Sequence, residues 1–367
     1  MKDFEEFHMN GGIGEASYAN NSLLQREVLL MTKPITTKAI ASLYTKLRPE
    51  TISIADLGCS SGPNTLLLVS ELMQAVDCAR KELRHRSPEF HIHLNDLPSN
   101  DFNTIFRSLS QYMEGLKKEM GEEFGPCFIS GVPGTFYGRL FPTNALNFVH
   151  SSYSLMWLSQ VPQRAEENKR NIYLAASSPP CVVKAYYEQF ERDFLTFLMC
   201  RSEEIIVGGR MVLTILGRNS ENPCDKESCH IWELLAIALS DLVDKDLIED
   251  AKLNTFNLPH YTPSLAEVKC LVEKEGSFSI VSSNGRYIDW NACGGEVHES
   301  RSVEEAGKSV TKCMRAVSES LLVSHFGVGV IEETFHKYQK NITDSMSKGN
   351  RRYFNVTVSL VRNQMDN

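Results

Sequence analysis

Ile54-Ala-Asp-Leu-Gly-Cys-Ser-Ser-Gly-Pro-Asn-Thr65 decides the fold of this chain. The apolar run from Ile52 to Leu57 reads as a buried strand. It stops in Gly58-Cys59-Ser60-Ser61-Gly62, a turn of small residues. Leu66, Val69, Leu72, Val76 and Ala79 then recur at helical spacing. Strand, glycine turn and helix open an α/β nucleotide-binding unit. The glycines let backbone approach a ligand, and the helix start offers free N–H groups.

Three chemistries use such a unit. The dinucleotide fingerprint is excluded, because Gly58 and Gly62 do not give G-x-G-x-x-G and the downstream acid is missing. G-x-S-x-G does match the hydrolase elbow, with Ser60 as nucleophile and His298 or His325 as base. That elbow needs strands before it, whereas residues 1–50 read as helical or irregular, and no HGGG-type loop is present. The third reading rests on two acids. Asp56 closes the first strand, and the next strand, Glu89 to Asp96, ends in a second. An acid there can accept both ribose hydroxyls of an adenosine. D-x-G-x-x-x-G followed by a strand-end Asp resembles the S-adenosylmethionine site of class I methyltransferases.

Composition narrows the partners. The chain has 367 residues, 42% of them hydrophobic, and a formal net charge of −8. That charge argues against a nucleic-acid partner. Met1-Lys-Asp-Phe-Glu-Glu carries no apolar leader, and no run of about 18 apolar residues suggests a membrane span. Ten cysteines are scattered without paired spacing. Cys224 and Cys229-His230 lack the second pair a zinc site needs. Reduced thiols in a cytoplasmic protein are the expectation.

Further along, Gly11, Gly12 and Gly14 precede a helix expected to run to about Leu47. Spacing alone reads this start as a frayed terminus, while the glycines would also suit a flap. An apolar run, Cys127 to Ser130, leads into Gly131-Val-Pro-Gly-Thr-Phe-Tyr-Gly-Arg-Leu-Phe-Pro142, a rigid loop whose aromatic faces could stack an adenine. The fourth strand starts at Phe148 and carries Tyr153, Met156 and Trp157 at its tail. Ligands of open α/β sheets lie beyond the carboxyl ends of strands. His150 is expected to be a structural histidine rather than a base, since no partner acid is evident in the sequence. A helix is expected over Ala185–Ile206, a strand over Arg210–Leu216, a loop over 218–230 and a helix over Trp232–Leu247. A helix over Leu265–Glu275 follows Thr262-Pro-Ser, a strand starts at Phe278, a helix spans Glu304–His325, and a strand spans Tyr353–Val361.

Six motifs now carry a resemblance: H-M-x-G-G-x-G-E-x-S-Y-A-x-N-S, I-A-D-L-G-C-S-S-G-P-N, L-N-D-L-P-x-N-D-F-N, G-V-P-G-x-F-Y-G-R-L-F-P, S-S-Y-S-L-M-W-L-S-Q-V-P and G-G-R-M-V-L-T-I-L-G-R. The chain resembles the plant SABATH methyltransferases from His8 to Leu360, its salicylate and benzoate members above all. The resemblance implies an α/β class I methyltransferase fold, with a mostly parallel seven-stranded sheet and a helical cap. It implies S-adenosylmethionine as cofactor, a small carboxylic acid or a xanthine as acceptor, and a homodimer. Residues 1–50 would form a flap and helix, and 51–217 the cofactor-binding core. Residues 218–325 would form the cap, with a returning strand near 277–283, and 326–362 would supply C-terminal core strands.

By position, the cofactor contacts would be Tyr18, Ser22, Asp56, Cys59, Asn64, Asp96, Leu97, Thr135 and Phe136, with Thr135 where serine is usual. Gln25 and Trp157 would hydrogen-bond the substrate carboxylate. Tyr153, Met156, Leu216, Ile231, Trp232, Tyr261, Met314 and Tyr353 would line the ring pocket. Met156 is the residue of salicylate-type members. Some members hold magnesium, which would map to Asn171, Asn254, Phe256 and Asn257. Asn254 replaces the usual Asp, so the set lacks the charged oxygen a hard cation favours. The pocket is expected to contain no ionisable base, since an ionised carboxylate needs none.

Overall fold

The computed structural model describes residues 7–121, 123–294, 302–349 and 351–364. Its strands are β1 (Thr51–Leu57), β2 (Glu89–Asp96), β3 (Cys127–Pro133), β4 (Leu146–Ser152), β5 (Ile205–Gly217), β6 (Phe278–Asp289) and β7 (Arg352–Arg362). Its helices are α1 (Tyr18–Asn21), α2 (Leu23–Leu47), α3 (Asn64–Leu83), α4 (Phe102–Met120), α5 (Pro180–Glu204), α6 (Lys226–Val243), α7 (Asp250–Thr255), α8 (Leu265–Glu275), α9 (Val303–Phe326) and α10 (Ile331–Ser347).

All seven strands join one sheet in the order β3-β2-β1-β4-β5-β7-β6. Only β7 runs antiparallel, pairing with β5 on one side and β6 on the other. Order reverses between β1 and β4, so their carboxyl ends diverge and open a crevice, the usual ligand position in such sheets. Alternate residues of β1 feed two cores. Ile52 and Ile54 pack with Ile40, Leu43, Val69 and Leu72 of α2 and α3. Ala55 and Leu57 join the larger cluster, which includes Phe190 and Phe194 of α5 and runs on into α6, α9 and α10. Among the described residues no helix is long and apolar enough to cross a membrane.

Several expected boundaries move. Residues 326–362, expected as core strands, hold α10 and the single strand β7. Ile331, Phe335, Tyr338 and Ile342 recur at helical spacing and are all buried, which decides the helix. Gly208 and Gly209 do not end a helix. They lie inside β5, where Gly208 takes φ +79° and the pairing with β4 shifts register. The expected loop over 218–230 turns helical from Lys226, since Asp225 caps α6 by accepting from Glu227 N–H at 3.1 Å.

Candidate active site

The crevice is floored by the turn after β1. Gly58 and Cys59 N–H both donate to the Asn95 carbonyl at 2.9 Å, which ties that turn to the end of β2. Gly58 has φ +81°, and a Cβ there would lie 2.0 Å from Ser154 Oγ, so only glycine fits. Asp56 lies beneath. It accepts from Thr65 Oγ1 at 2.6 Å and pairs with His150 Nδ1 at 2.9 Å. His150 therefore has the partner acid that the sequence did not reveal, and it is structural.

Asp96 sits at the tip of β2. Its two oxygens accept from Ser60 N–H at 2.7 Å and Leu97 N–H at 2.8 Å. Burial pushes its carboxyl up to about 6, against the pull of those two donors. Asn64 donates to the Ser22 carbonyl at 3.0 Å and to its hydroxyl at 3.1 Å, joining α3 to the α1–α2 corner.

A cavity of about 540 Å³ opens over this floor, within the roughly 300–1,000 Å³ of small-molecule sites. Tyr18, Asp96, Leu97, Thr135 and Phe136 line one end of it. Gln25, Tyr153, Met156, Trp157, Leu216, Ile231, Trp232, Met314 and Tyr353 line the rest. Ser22, Asp56, Cys59 and Asn64 are buried behind the lining and hold it in place. Tyr261 is also outside the lining. Its ring packs on Phe190 and its hydroxyl donates to Glu267 at 3.0 Å, with the Arg218 guanidinium over the ring. Its neighbour His260 lines the cavity instead.

Trp157 is fixed from several sides. Its backbone N–H donates to the Ser154 carbonyl at 3.0 Å, and its own carbonyl accepts from Tyr137 Oη at 2.7 Å. Phe7 packs on its ring at 4.9 Å, bringing the N-terminal segment over the cavity. That segment is tied down on both flanks. Asn10 N–H donates to the Ala316 carbonyl at 2.9 Å, Ser320 Oγ to the His8 carbonyl at 2.7 Å, and Gly12 N–H to Asp101 at 2.8 Å. The described segment is thus anchored rather than frayed. Among the described residues the Gln25 amide has only Cys313 Sγ as a partner, at 3.9–4.0 Å.

His260 was not read from the sequence, and Tyr137 was read only as part of the aromatic loop that could stack an adenine, not as a support for Trp157. His260 reaches the wall by a single bridge to Trp157, a pairing too distant in sequence for periodicity to show. Burial pushes its imidazole down to about 3. The expectation of no ionisable base in the pocket is thus corrected, since His8, Asp193 and His260 all line the cavity, although the His260 imidazole, pushed down this far, stays neutral and is a very weak base. Ser60 Oγ is buried without a partner, and His325 bonds the Lys252 carbonyl at 2.8 Å. His298 lies outside the described residues. No base activates Ser60 among the described residues, so the hydrolase reading has no support.

The residues mapped to magnesium do not fit it. Asn254 accepts from Arg170 N–H at 3.1 Å and donates to Asp250 at 2.6 Å, while the Arg170 guanidinium pairs with Asp250 at 2.7 Å. Asn257 accepts from Asn168 at 3.4 Å, and Asn171 donates to Asn168 at 3.2 Å. Phe256 packs on Phe326. Neutral amides already engaged, beside a guanidinium, offer a hard cation no charged oxygen. Activity in the presence of EDTA is expected to stay within about twofold of the untreated protein, and a large loss restored by magnesium alone would reverse this assignment.

A family model described as SAM dependent carboxyl methyltransferase matches residues 4–363. The chain is 57% identical over 362 residues to a benzoic acid/salicylic acid carboxyl methyltransferase of Petunia hybrida, covering 99% of both chains. It is 53% identical over 357 residues to the salicylate carboxymethyltransferase of Clarkia breweri, covering 97% of both. A solved structure of loganic acid methyltransferase with SAH superposes with a TM-score of 0.82 at 32% identity, over 97% of this chain and 99% of that one. On this family match, these identities and the seven-stranded sheet, the chain belongs to the S-adenosylmethionine-dependent carboxyl methyltransferases.

Proposed function

We propose that the protein transfers the methyl group of S-adenosylmethionine to the carboxylate of a small aromatic acid, with salicylate the favoured acceptor. One observation carries this reading. Gln25 and Trp157, two neutral N–H donors, share one cavity wall with Met156, Ile231, Trp232 and Met314, and no lysine or arginine lines that cavity among the described residues. A flat, apolar ring with one anionic group fits such a wall.

The chemistry needs little from the protein. The sulfonium methyl is already activated, and a benzoic-type carboxylate is ionised at neutral pH. The task is to align oxygen, methyl carbon and sulfur in near-attack geometry. Closing Phe7 and the flap over Trp157 excludes water and strengthens the attraction between carboxylate and sulfonium. Neutral donors hold the carboxylate without quenching its charge. His260, pushed down to about 3, cannot take the proton of a phenol, whose ordinary value is near 10. With the ionised carboxylate as the ready nucleophile, the product is expected to be the ester. Mass spectrometry after a labelled-methyl assay over salicylate, benzoate, anthranilate, jasmonate and xanthosine tests this. A phenol ether, an N-methyl product or preference for jasmonate would refute it.

Asp96 gives the reaction a pH signature. Its carboxyl titrates near 6, so the ionised form that accepts two ribose hydroxyls predominates above that value and is lost below it. Affinity for S-adenosylmethionine is expected to be flat from pH 7 to 8. By pH 5 it should fall about tenfold, the worth of one charge-assisted hydrogen bond. Calorimetry across that range checks the sign; affinity that rises on acidification would exclude Asp96 as the diol acceptor. A homodimer and a cytoplasmic location belong to the same proposal. The location is supported by nine described cysteines that are all free thiols.

A further inference from the structure

His260 occupies a position that neither the cofactor nor the carboxylate requires. It lies between α7 and α8, and its backbone is clamped to the strand-end segment. Leu158 N–H donates to the Pro259 carbonyl at 2.7 Å, and Tyr261 N–H to the Met156 carbonyl at 2.8 Å, on either side of the Trp157–His260 bridge. Its imidazole meets three aromatic rings edge to face: Trp157 at 5.1 Å, Tyr173 at 5.2 Å and Trp232 at 5.5 Å.

The ring is 1% exposed, yet it lines the cavity. Nδ1 is buried without a partner, and among the described residues no hydrogen bond reaches Nε2 either. Buried polar groups are nearly always hydrogen-bonded, and one left unpaired calls for an explanation. Nδ1 has no open surface, whereas Nε2 is not closed off in this way, so a ligand in the cavity supplies a partner to Nε2.

We propose that His260 is the hydrogen-bond partner of a hydroxyl on the ring of the acid, and so ranks hydroxylated acids above their unsubstituted analogues. This rests on the aromatic-acid reading given above. The carboxylate already has two donors in Gln25 and Trp157. His260 adjoins Trp157 on one side and Trp232 on the other, so a substituent beside the carboxyl group, on the Trp232 side, meets the imidazole. Burial keeps the imidazole neutral, with one N–H and one bare nitrogen. A hydroxyl both donates and accepts, so it suits either tautomer. Benzoate would leave Nε2 unpaired in a dry site, a penalty that discriminates strongly between substrates.

The test compares wild type with His260→Leu and His260→Gln. The salicylate-to-benzoate ratio of kcat/KM is expected to fall about tenfold in His260→Leu, and His260→Gln, which still bonds a hydroxyl, should recover part of it. Calorimetry with S-adenosylhomocysteine-saturated protein should show the same change in the affinity ratio of the two acids. A ratio that stays constant while both acids weaken together would make His260 a support for Trp157 only and overturn the assignment. Should the leucine variant fail to fold, 2-methylbenzoate on wild type replaces it. The methyl fills the hydroxyl position without hydrogen-bonding, and affinity equal to that of salicylate overturns the proposal. Wild type that methylates neither acid would sink the aromatic-acid reading itself, and the hydroxyl assignment with it. A constant ratio in an active enzyme sinks the hydroxyl assignment alone.

Discussion

Asp96→Ala is expected to weaken S-adenosylmethionine binding by at least tenfold. An ionised carboxylate offers about four lone-pair sites. Two are taken by the N–H groups of Ser60 and Leu97, and two remain for the ribose diol. Hydrogen bonds to a charged acceptor are worth roughly 1.5–3 kcal/mol each, so even one of them accounts for about a tenfold change. Asp96→Asn keeps one acceptor oxygen and loses the charge, so its affinity should fall between wild type and alanine. Calorimetry measures both variants, and circular dichroism shows that they are folded. Unchanged affinity in a folded Asp96→Ala protein would remove Asp96 from the cofactor site.

Trp157→Phe and Gln25→Leu are each expected to lower kcat/KM for the acid by about ten- to a hundredfold. Either change leaves a carboxylate oxygen unpaired in a dry pocket, which costs roughly 1–3 kcal/mol. Phenylalanine at 157 keeps an aromatic ring against Phe7, His260 and Trp232 and removes only the N–H. The thiol contact of the Gln25 amide, at 3.9–4.0 Å, is too long to compete with a carboxylate. Steady-state kinetics should show the loss for Trp157→Phe while its cofactor affinity stays within about twofold. A full-rate Trp157→Phe enzyme would dismiss the clamp.

The cofactor half of the fold was legible because its signals are local. β1, the glycine turn and α3 declare themselves within residues 51–83, and α8 shows its cap at Ser264 and its end at Gly276. The second half was less so. α10 was missed because its helical period was submerged in the expectation of returning strands, and β6 reaches Asp289 because pairing with β7 carries a polar stretch that strand propensity does not. The Asp56–His150 and Trp157–His260 contacts join segments far apart in the chain, and no spacing rule reaches that far. The family motifs placed most of the cavity wall. They did not show that Tyr261 turns to Glu267 while His260 takes its place.

The antiparallel strand has a consequence for how the chain is made. β6 touches the sheet only through β7, and β7 is separated from it by α9 and α10. During synthesis β6, α9 and α10 emerge before the strand that gives them a sheet to dock on. The ribosome thus releases a nascent chain whose nucleotide-binding half can already close while its cap waits. Long-range pairing of this sort is slow and leaves apolar edges open to aggregation. A stop codon before residue 352 would cost more than eleven residues. It would unmoor β6, strip Tyr353 from the cavity and remove Asn355, which accepts from the Tyr153 hydroxyl at 2.5 Å, leaving a chaperone substrate instead of an enzyme.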